Sequence, residues 1–293
     1  MNRLVRAELF KLRTTNAWWL FALTTLLSTV VMLIVSGVAA HSLLQPLAQY
    51  LDLESHGNAA NLPPEFLARL TDEWDLGHSA ATQAVALYTA GQLPGVLLAC
   101  LLGVVLVTSE YYHQTATTTF LLTPQRTAVV IAKLVTALLL AGVAWLASTI
   151  ISVAAGAVFL HAEGYSTQLG HWGVDRALLL NLAAYLLWAV FGVGVGALVR
   201  HQLAATVGVT VLYLVGAGAA STVFDLVNIY LLQRDWVLTA QVIVPTVASA
   251  VMVSPTKTFD QSPAPWVGAV VLLAYGLVLG GLGVATLRHR DIA

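Results

Sequence analysis

Six stretches of the chain contain no aspartate, glutamate, lysine or arginine, and each is long enough to cross a bilayer as an α-helix. Only 9% of the 293 residues are charged, whereas a soluble domain carries about 25%. The sequence therefore predicts an all-α integral membrane protein that forms one transmembrane domain, 1–293. Its six transmembrane helices are predicted at 18–40, 87–107, 134–159, 177–199, 203–223 and 266–287.

A seventh apolar run, 237–253, is only just long enough to span, and it contains Gln241 and Pro245. Proline removes a backbone donor near the middle of a run that is already too short to tilt. Non-helical backbone at membrane depth is tolerated where protein covers it, as in a re-entrant hairpin. We therefore predict a re-entrant outer element between spans five and six, with a seventh span as the alternative.

The lysines and arginines are distributed unevenly between the two sides of the predicted membrane. With the N-terminus inside, nine of the 13 basic residues fall in inner segments and four in outer ones. Because inner loops of membrane proteins are enriched in lysine and arginine, both termini are predicted to be cytoplasmic. Trp18, Trp19, Trp172, Trp236 and Trp266 fall near predicted span ends, as an aromatic belt would.

Residues 1–16 precede the first span and are predicted to form an interfacial helix. Leu4, Val5, Leu9 and Leu12 share one helical face, but Glu8 falls on that face and Phe10 lies off it. A cleaved signal peptide is the alternative, because the start is basic. The apolar run that follows is much longer than a signal core, which favours an uncleaved span.

Several classes of function are disfavoured by what the sequence lacks. Ion-coupled carriers and intramembrane hydrolases need ionisable groups at membrane depth, and the predicted spans contain none away from their ends. The eight histidines show no metal-ligand spacing, so no metal site is expected. No G-x-x-x-x-G-K-[ST] motif occurs, so we expect no ATP site, no bound cofactor and no enzymatic activity in this chain.

Within the predicted spans, two patterns concern packing and cargo. Gly192-x-x-x-Gly196 and Gly276-x-x-x-Gly280 predict close helix packing, within the subunit or at a dimer seam.

Hydroxyl side chains in the predicted spans suit a hydrophobic or amphipathic cargo, although the same groups can donate hydrogen bonds to neighbouring backbone carbonyls. They are Thr24, Thr25, Ser28, Thr29, Ser148 and Ser152.

A polar, hydroxyl-rich segment, 108–133, joins the second and third predicted spans on the inner side, and we call it the inner bracket. Glu110 lies at its start, and Thr123-Pro124 has the pattern of a helix N-cap followed by proline. Arg126 and Lys133 are expected to snorkel to the headgroups. The segment is either an ordinary solvated loop, with a Glu110–Arg126 salt bridge closing the hairpin, or a surface that receives force from a soluble partner.

Three motifs resemble the permease subunit of type 2 ABC exporters. Glu8-Leu9-Phe10-Lys11-Leu12 is similar to the connecting helix of that family. Ser109-Glu110-Tyr111-Tyr112-His113, followed by Thr123-Pro124-Gln125-Arg126, resembles its first cytoplasmic loop, with Tyr112 where arginine is common. Arg288-His289-Arg290-Asp291-Ile292 is similar to its basic closing tag.

The resemblance implies a permease without its own ATPase site, in a bacterial plasma membrane. It would pair with a second permease copy or a paralogue, and each permease would dock on a cytoplasmic ATPase that holds ATP and Mg. No nucleic-acid partner is expected. A non-transporting sensor or immunity scaffold coupled to an ATPase is the alternative. The resemblance assigns coupling to the ATPase to Glu8, Lys11, Glu110, Tyr111, His113 and Arg126.

Overall fold

The computed structural model is a bundle of long helices packed around one central helix. It describes residues 2–15, 17–44, 79–113, 126–199, 201–232, 234–254, 258–259 and 261–289. Within these ranges all regular secondary structure is helical. The predicted N-cap at Thr123-Pro124 and the end of the basic tag, Arg290-Asp291-Ile292, lie outside the described residues.

Ten α-helices are described, and a short π-helical turn and a 3₁₀ turn extend two of them. The first five are α1 (Asn2–Thr14), α2 (Ala17–Leu43), α3 (Ala80–Tyr88), α4 (Gln92–Tyr112) and α5 (Arg126–Ala162). The others are α6 (Trp172–Val199), α7 (Gln202–Val227), α8 (Asp235–Ala240), α9 (Pro245–Val253) and α10 (Pro265–His289). Six helical units are long and apolar enough to span a membrane: α2, α3 with α4, α5, α6, α7 and α10. The all-α, six-span membrane architecture is therefore confirmed.

Two ends of the bundle are named here for reference. The basal end carries α1, the end of α4 and the starts of α5 and α7. The apical end carries the end of α2, the start of α4 and the turn between α5 and α6. Trp18 and Trp19 are exposed at the basal start of α2, and Trp172, Trp236 and Trp266 are exposed near the apical end.

Helix α6 lies at the centre and packs most extensively against α4 and α10. A Cβ atom added at Gly192 would lie 2.0 Å from the carbonyl oxygen of Cys100, and one at Gly196 would lie 2.9 Å from that of Val104. Only glycine lets the backbones of α4 and α6 approach this closely. The prediction of packing within the subunit is confirmed for this glycine pair.

The second span is broken near its apical end, between α3 and α4. The Tyr185 hydroxyl of α6 donates a hydrogen bond to the Gly91 carbonyl at 2.9 Å. A Cβ atom at Gly91 would lie 2.0 Å from the Ser148 hydroxyl of α5. The break is thus satisfied by neighbouring helices, as a helix interruption inside a membrane must be.

Hydroxyl groups of α2 bond to the carbonyls of their own helix. Thr25 donates to Phe21 O at 2.7 Å, and Thr29 donates to Thr25 O at 2.7 Å. Thr29 also lies 3.1 Å from the Ser148 hydroxyl of α5. These contacts agree with the carbonyl-capping interpretation of the hydroxyl pattern.

A sharp bend separates α8 and its 3₁₀ extension from α9. Trp236–Ile243 and Pro245–Val253 meet at 100°. Val244 has extended backbone angles, φ −70° and ψ 126°, which is the conformation that a following proline imposes. Pro245 then begins α9, where its missing N–H leaves no helical hydrogen bond unmade.

The chain on both sides of this bend returns to the apical end. The Thr239 hydroxyl donates to the Gln261 carbonyl at 3.1 Å, so the segments before and after the hairpin meet. Gln92, the first residue of α4, donates to Ser249 O of α9 at 3.3 Å. With nine residues, α9 is about 13 Å long, well short of a bilayer core. The element is therefore a re-entrant hairpin.

Candidate functional site

Four charged side chains from three helices meet at the basal end, and we call them the charge cluster. They are Glu8 and Lys11 of α1, Glu110 of α4 and Lys133 of α5. The Lys11 ammonium lies 2.9 Å from Glu8 Oε1 and 2.7 Å from Glu110 Oε1. The Lys133 ammonium lies 3.0 Å from Glu8 Oε2 and 3.1 Å from Glu110 Oε1. Each carboxylate is therefore paired with both ammonium groups.

Three of the four side chains are almost completely buried. The side chains of Glu8 and Glu110 are 7% exposed and that of Lys133 is 6% exposed, whereas that of Lys11 is 46% exposed. Lys133 also donates to the Leu106 carbonyl at 2.9 Å. Buried charges persist in proteins only when they are paired and hydrogen-bonded, and these four formal charges sum to zero.

The local sequence of α1 explains why this helix contributes two side chains to the charge cluster. Glu8 and Lys11 are three residues apart, so they lie one turn apart on neighbouring parts of the helix surface. Glu8 falls on the apolar face because that face packs against α5, where the glutamate meets Lys133. Phe10 lies on the other side and is 66% exposed. Glu8 lies on the apolar face of α1 because it forms an ion pair there with Lys133 of α5.

Lys133 was not among the predicted coupling residues, and the prediction that its side chain extends to the headgroups was wrong. The residue is 4% exposed, and its ammonium is paired with Glu8 and Glu110. The helix begins at Arg126, so Lys133 lies about two turns inside α5. A sequence signal was present, because three of the four residues at helical spacing from Lys133 are apolar: Val129, Val130 and Ala137, with Thr136 as the fourth. The structure buries all four.

Lys11 is the member of the cluster that water reaches. Burial lowers the pKa of its ammonium, but hydrogen bonds to Glu110 and Glu8 and their charges raise it by more. The net pKa of Lys11 is therefore above its usual value. The ammonium stays protonated through neutral pH, so both of its ion pairs are present there.

A cleft of about 490 Å³ opens beside the cluster, between α1, the end of α4 and the start of α7. Glu8, Lys11, Glu110 and His113 line it, and Gln202 of α7 forms part of its wall. Four of the six predicted coupling residues therefore share one cleft. Tyr111 is partly buried against the core, and the Arg126 side chain lies outside what the structure describes, as does the predicted Glu110–Arg126 pair.

The arrangement is a clamp between helices. Both carboxylates are occupied by ammonium groups, so in this state neither is free to act as a general acid or base. Among the described residues, no group of three His, Cys, Asp or Glu side chains is placed to hold a metal ion. What the cluster does physically is tie α1 to the two helices, α4 and α5, that flank the inner bracket.

No family model matches this sequence, and no curated protein matches it. The assignment to a family therefore rests on the three motifs described above and stays a prediction.

Proposed function

We propose that this chain is the membrane-spanning permease subunit of an ATP-binding cassette exporter. It moves a hydrophobic or amphipathic substrate outward, and a separate cytoplasmic ATPase supplies the energy by hydrolysing ATP. The basal end then faces the cytoplasm of a bacterial cell, with both termini inside. The nine-to-four distribution of basic residues supports this orientation.

The observation that carries the proposal is the charge cluster. The helix that precedes the first span is fixed by two ion pairs, Lys11–Glu110 to α4 and Glu8–Lys133 to α5. Force applied to α1 would reach both helices through these contacts of 2.7 Å and 3.0 Å. From α4, the central helix α6 would receive it across the Gly192 and Gly196 contacts.

The first experiment measures ATP hydrolysis. The purified chain alone is expected to show none, because the sequence has no phosphate-cradling loop. The tagged chain, isolated from its native host, is expected to retain a soluble ATPase whose activity depends on the complex. ATP hydrolysis by the contaminant-free chain would contradict the proposal, as would the absence of any retained ATPase.

The second experiment tests the coupling role of Glu110. Glu110→Ala and Arg126→Ala are expected to reduce ATP-dependent export while the chain still inserts into the membrane. The matched control is Glu163→Ala, which removes a hydrogen-bonded carboxylate at the apical end, where Glu163 lies 2.7 Å from His41. Export and partner binding at the wild-type level in the Glu110 variant would show that this side chain has no part in coupling.

Transport itself distinguishes an exporter from a sensor or immunity scaffold. Inverted vesicles that contain the complex are expected to accumulate fluorescent hydrophobic compounds when ATP is added. ATP hydrolysis that responds to such compounds without any accumulation would favour the scaffold.

A further inference from the structure

Helix α1 has an outward face that the bundle leaves free. Glu8 and Lys11 fix one side of the helix to α4 and α5. Arg3, Arg6, Phe10 and Arg13 are spaced by three, four and three residues, so they form one stripe away from that side. All four are exposed, and the three arginines make no hydrogen bond or ion pair with any described residue. We call this stripe the arginine face.

The position of the arginine face relative to the bilayer follows from the start of α2. Trp18 and Trp19 are 52% and 41% exposed, and exposed tryptophans of spanning helices lie at the level of the headgroups. The exposed residues that follow, Leu20, Leu23 and Leu27, are apolar and suit contact with acyl chains. Because α1 ends at Thr14, just before these tryptophans, its C-terminal end is expected at the level of the headgroups.

We propose that the arginine face is a binding site for anionic phospholipids. Guanidinium groups bind phosphate with paired hydrogen bonds, and no acid lies on the arginine face to neutralise them. Phe10, in the middle of the stripe, is 66% exposed and can reach the acyl boundary, as aromatic residues of interfacial helices do. An exposed apolar ring between arginines fits a lipid surface better than an aqueous acidic protein surface.

The lipid holds the helix from the side opposite to the charge cluster. The cluster fixes α1 to the bundle, and the headgroups fix its outer surface in the plane of the membrane. This inference depends on the fold and on the exposed residues, and it does not require that the chain be a transporter.

The experiment is native mass spectrometry of the purified full chain with phosphatidylglycerol and phosphatidylcholine of identical acyl chains. The wild-type chain is expected to retain phosphatidylglycerol preferentially. Each basic residue near an anionic surface contributes about fivefold in affinity, so the triple Arg→Gln variant of the arginine face should bind phosphatidylglycerol about a hundredfold more weakly. The triple Arg→Lys variant keeps the charge and should retain most of the preference.

The matched control is Arg234→Gln, which removes an exposed arginine at the start of α8, near the apical end. It should bind phosphatidylglycerol as the wild type does. Size-exclusion profiles establish that each variant is folded, and single Arg→Gln variants replace the triple variant if it is not.

Three results would overturn the proposal. Unchanged phosphatidylglycerol binding in the Arg→Gln variants would exclude the arginine face as the site. An equal loss in Arg234→Gln would mean that the preference is a general effect of charge. Retained lipid with lost binding of a soluble ATPase would assign the arginine face to the protein partner instead.

Discussion

Replacing Lys133 with methionine tests whether the charge cluster is a structural clamp. Methionine fills a similar volume, so the substitution removes charge with little change in packing. It deletes the ion pairs to Glu8 and Glu110 and leaves Lys11 as the one cation for two carboxylates that are each 7% exposed. Removing one partner of a buried pair costs about 3–5 kcal/mol, because the other charge stays buried. We expect a loss of that size in the free energy of unfolding.

Lys11→Met is the matched comparison. It also deletes two ion pairs, but the side chain is 46% exposed and lines the cleft, so water can take its place. Exposed pairs contribute about 0–1 kcal/mol, and we expect a loss near the upper end of that range. Both lysines make two ion pairs, so the comparison separates burial from the number of ion pairs.

The assay is unfolding in mixed micelles by titration with a denaturing detergent, followed by circular dichroism. The double variant Lys133→Met/Glu8→Gln restores charge balance, because Lys11 and Glu110 then remain as a pair. It should be more stable than the sum of the two single losses predicts, with a coupling energy of about 0.5–3 kcal/mol. A loss for Lys133→Met no larger than that for Lys11→Met would refute the reasoning.

Two further predictions concern the bundle. Gly192→Ala should destabilise the protein by about 1–3 kcal/mol, because its Cβ would lie 2.0 Å from the Cys100 carbonyl oxygen. Gly208→Ala is the control: no atom lies within 4 Å of the added Cβ, so it should stabilise its helix by up to about 1 kcal/mol. Equal effects of the two substitutions in the unfolding assay would contradict this prediction. The second prediction uses single cysteines in a Cys100→Ala background and a membrane-impermeant thiol reagent applied to intact cells. The reagent should label cysteines placed at Asn228 and Lys257 and should not label one placed at Arg290. Protection at 257 with labelling at 290 would mean seven spans.

The architecture could be predicted from the sequence because a long uncharged run in a membrane must satisfy its backbone hydrogen bonds within the segment, as an α-helix does. The short run around Pro245 was predicted as a re-entrant hairpin for the same reason, and the bend occurs at Val244, just before the proline. A helix before the first span was also predicted and occurs as α1, and Glu8 on its apolar face is buried in the cluster. Its position at the membrane interface stays a prediction.

The partners within the cluster could not be predicted, because they are far apart in sequence. Lys133 is 125 residues from Glu8, and Lys11 is 99 residues from Glu110. Helical periodicity relates only neighbouring turns, so it can place Lys133 on a buried face but cannot say which acid meets it there. The break before α4 was missed for a similar reason, since the Tyr185 hydroxyl that satisfies Gly91 comes from a distant helix.

The balance of charge within the cluster bears on how it responds to the membrane potential. Moving one elementary charge across the bilayer changes the energy by about 2.3 kcal/mol per 100 mV. Two carboxylates and two ammonium groups that move together carry no net charge through that field. The cluster itself therefore adds no voltage dependence to a displacement of α1, and any such dependence comes from the arginines of the arginine face.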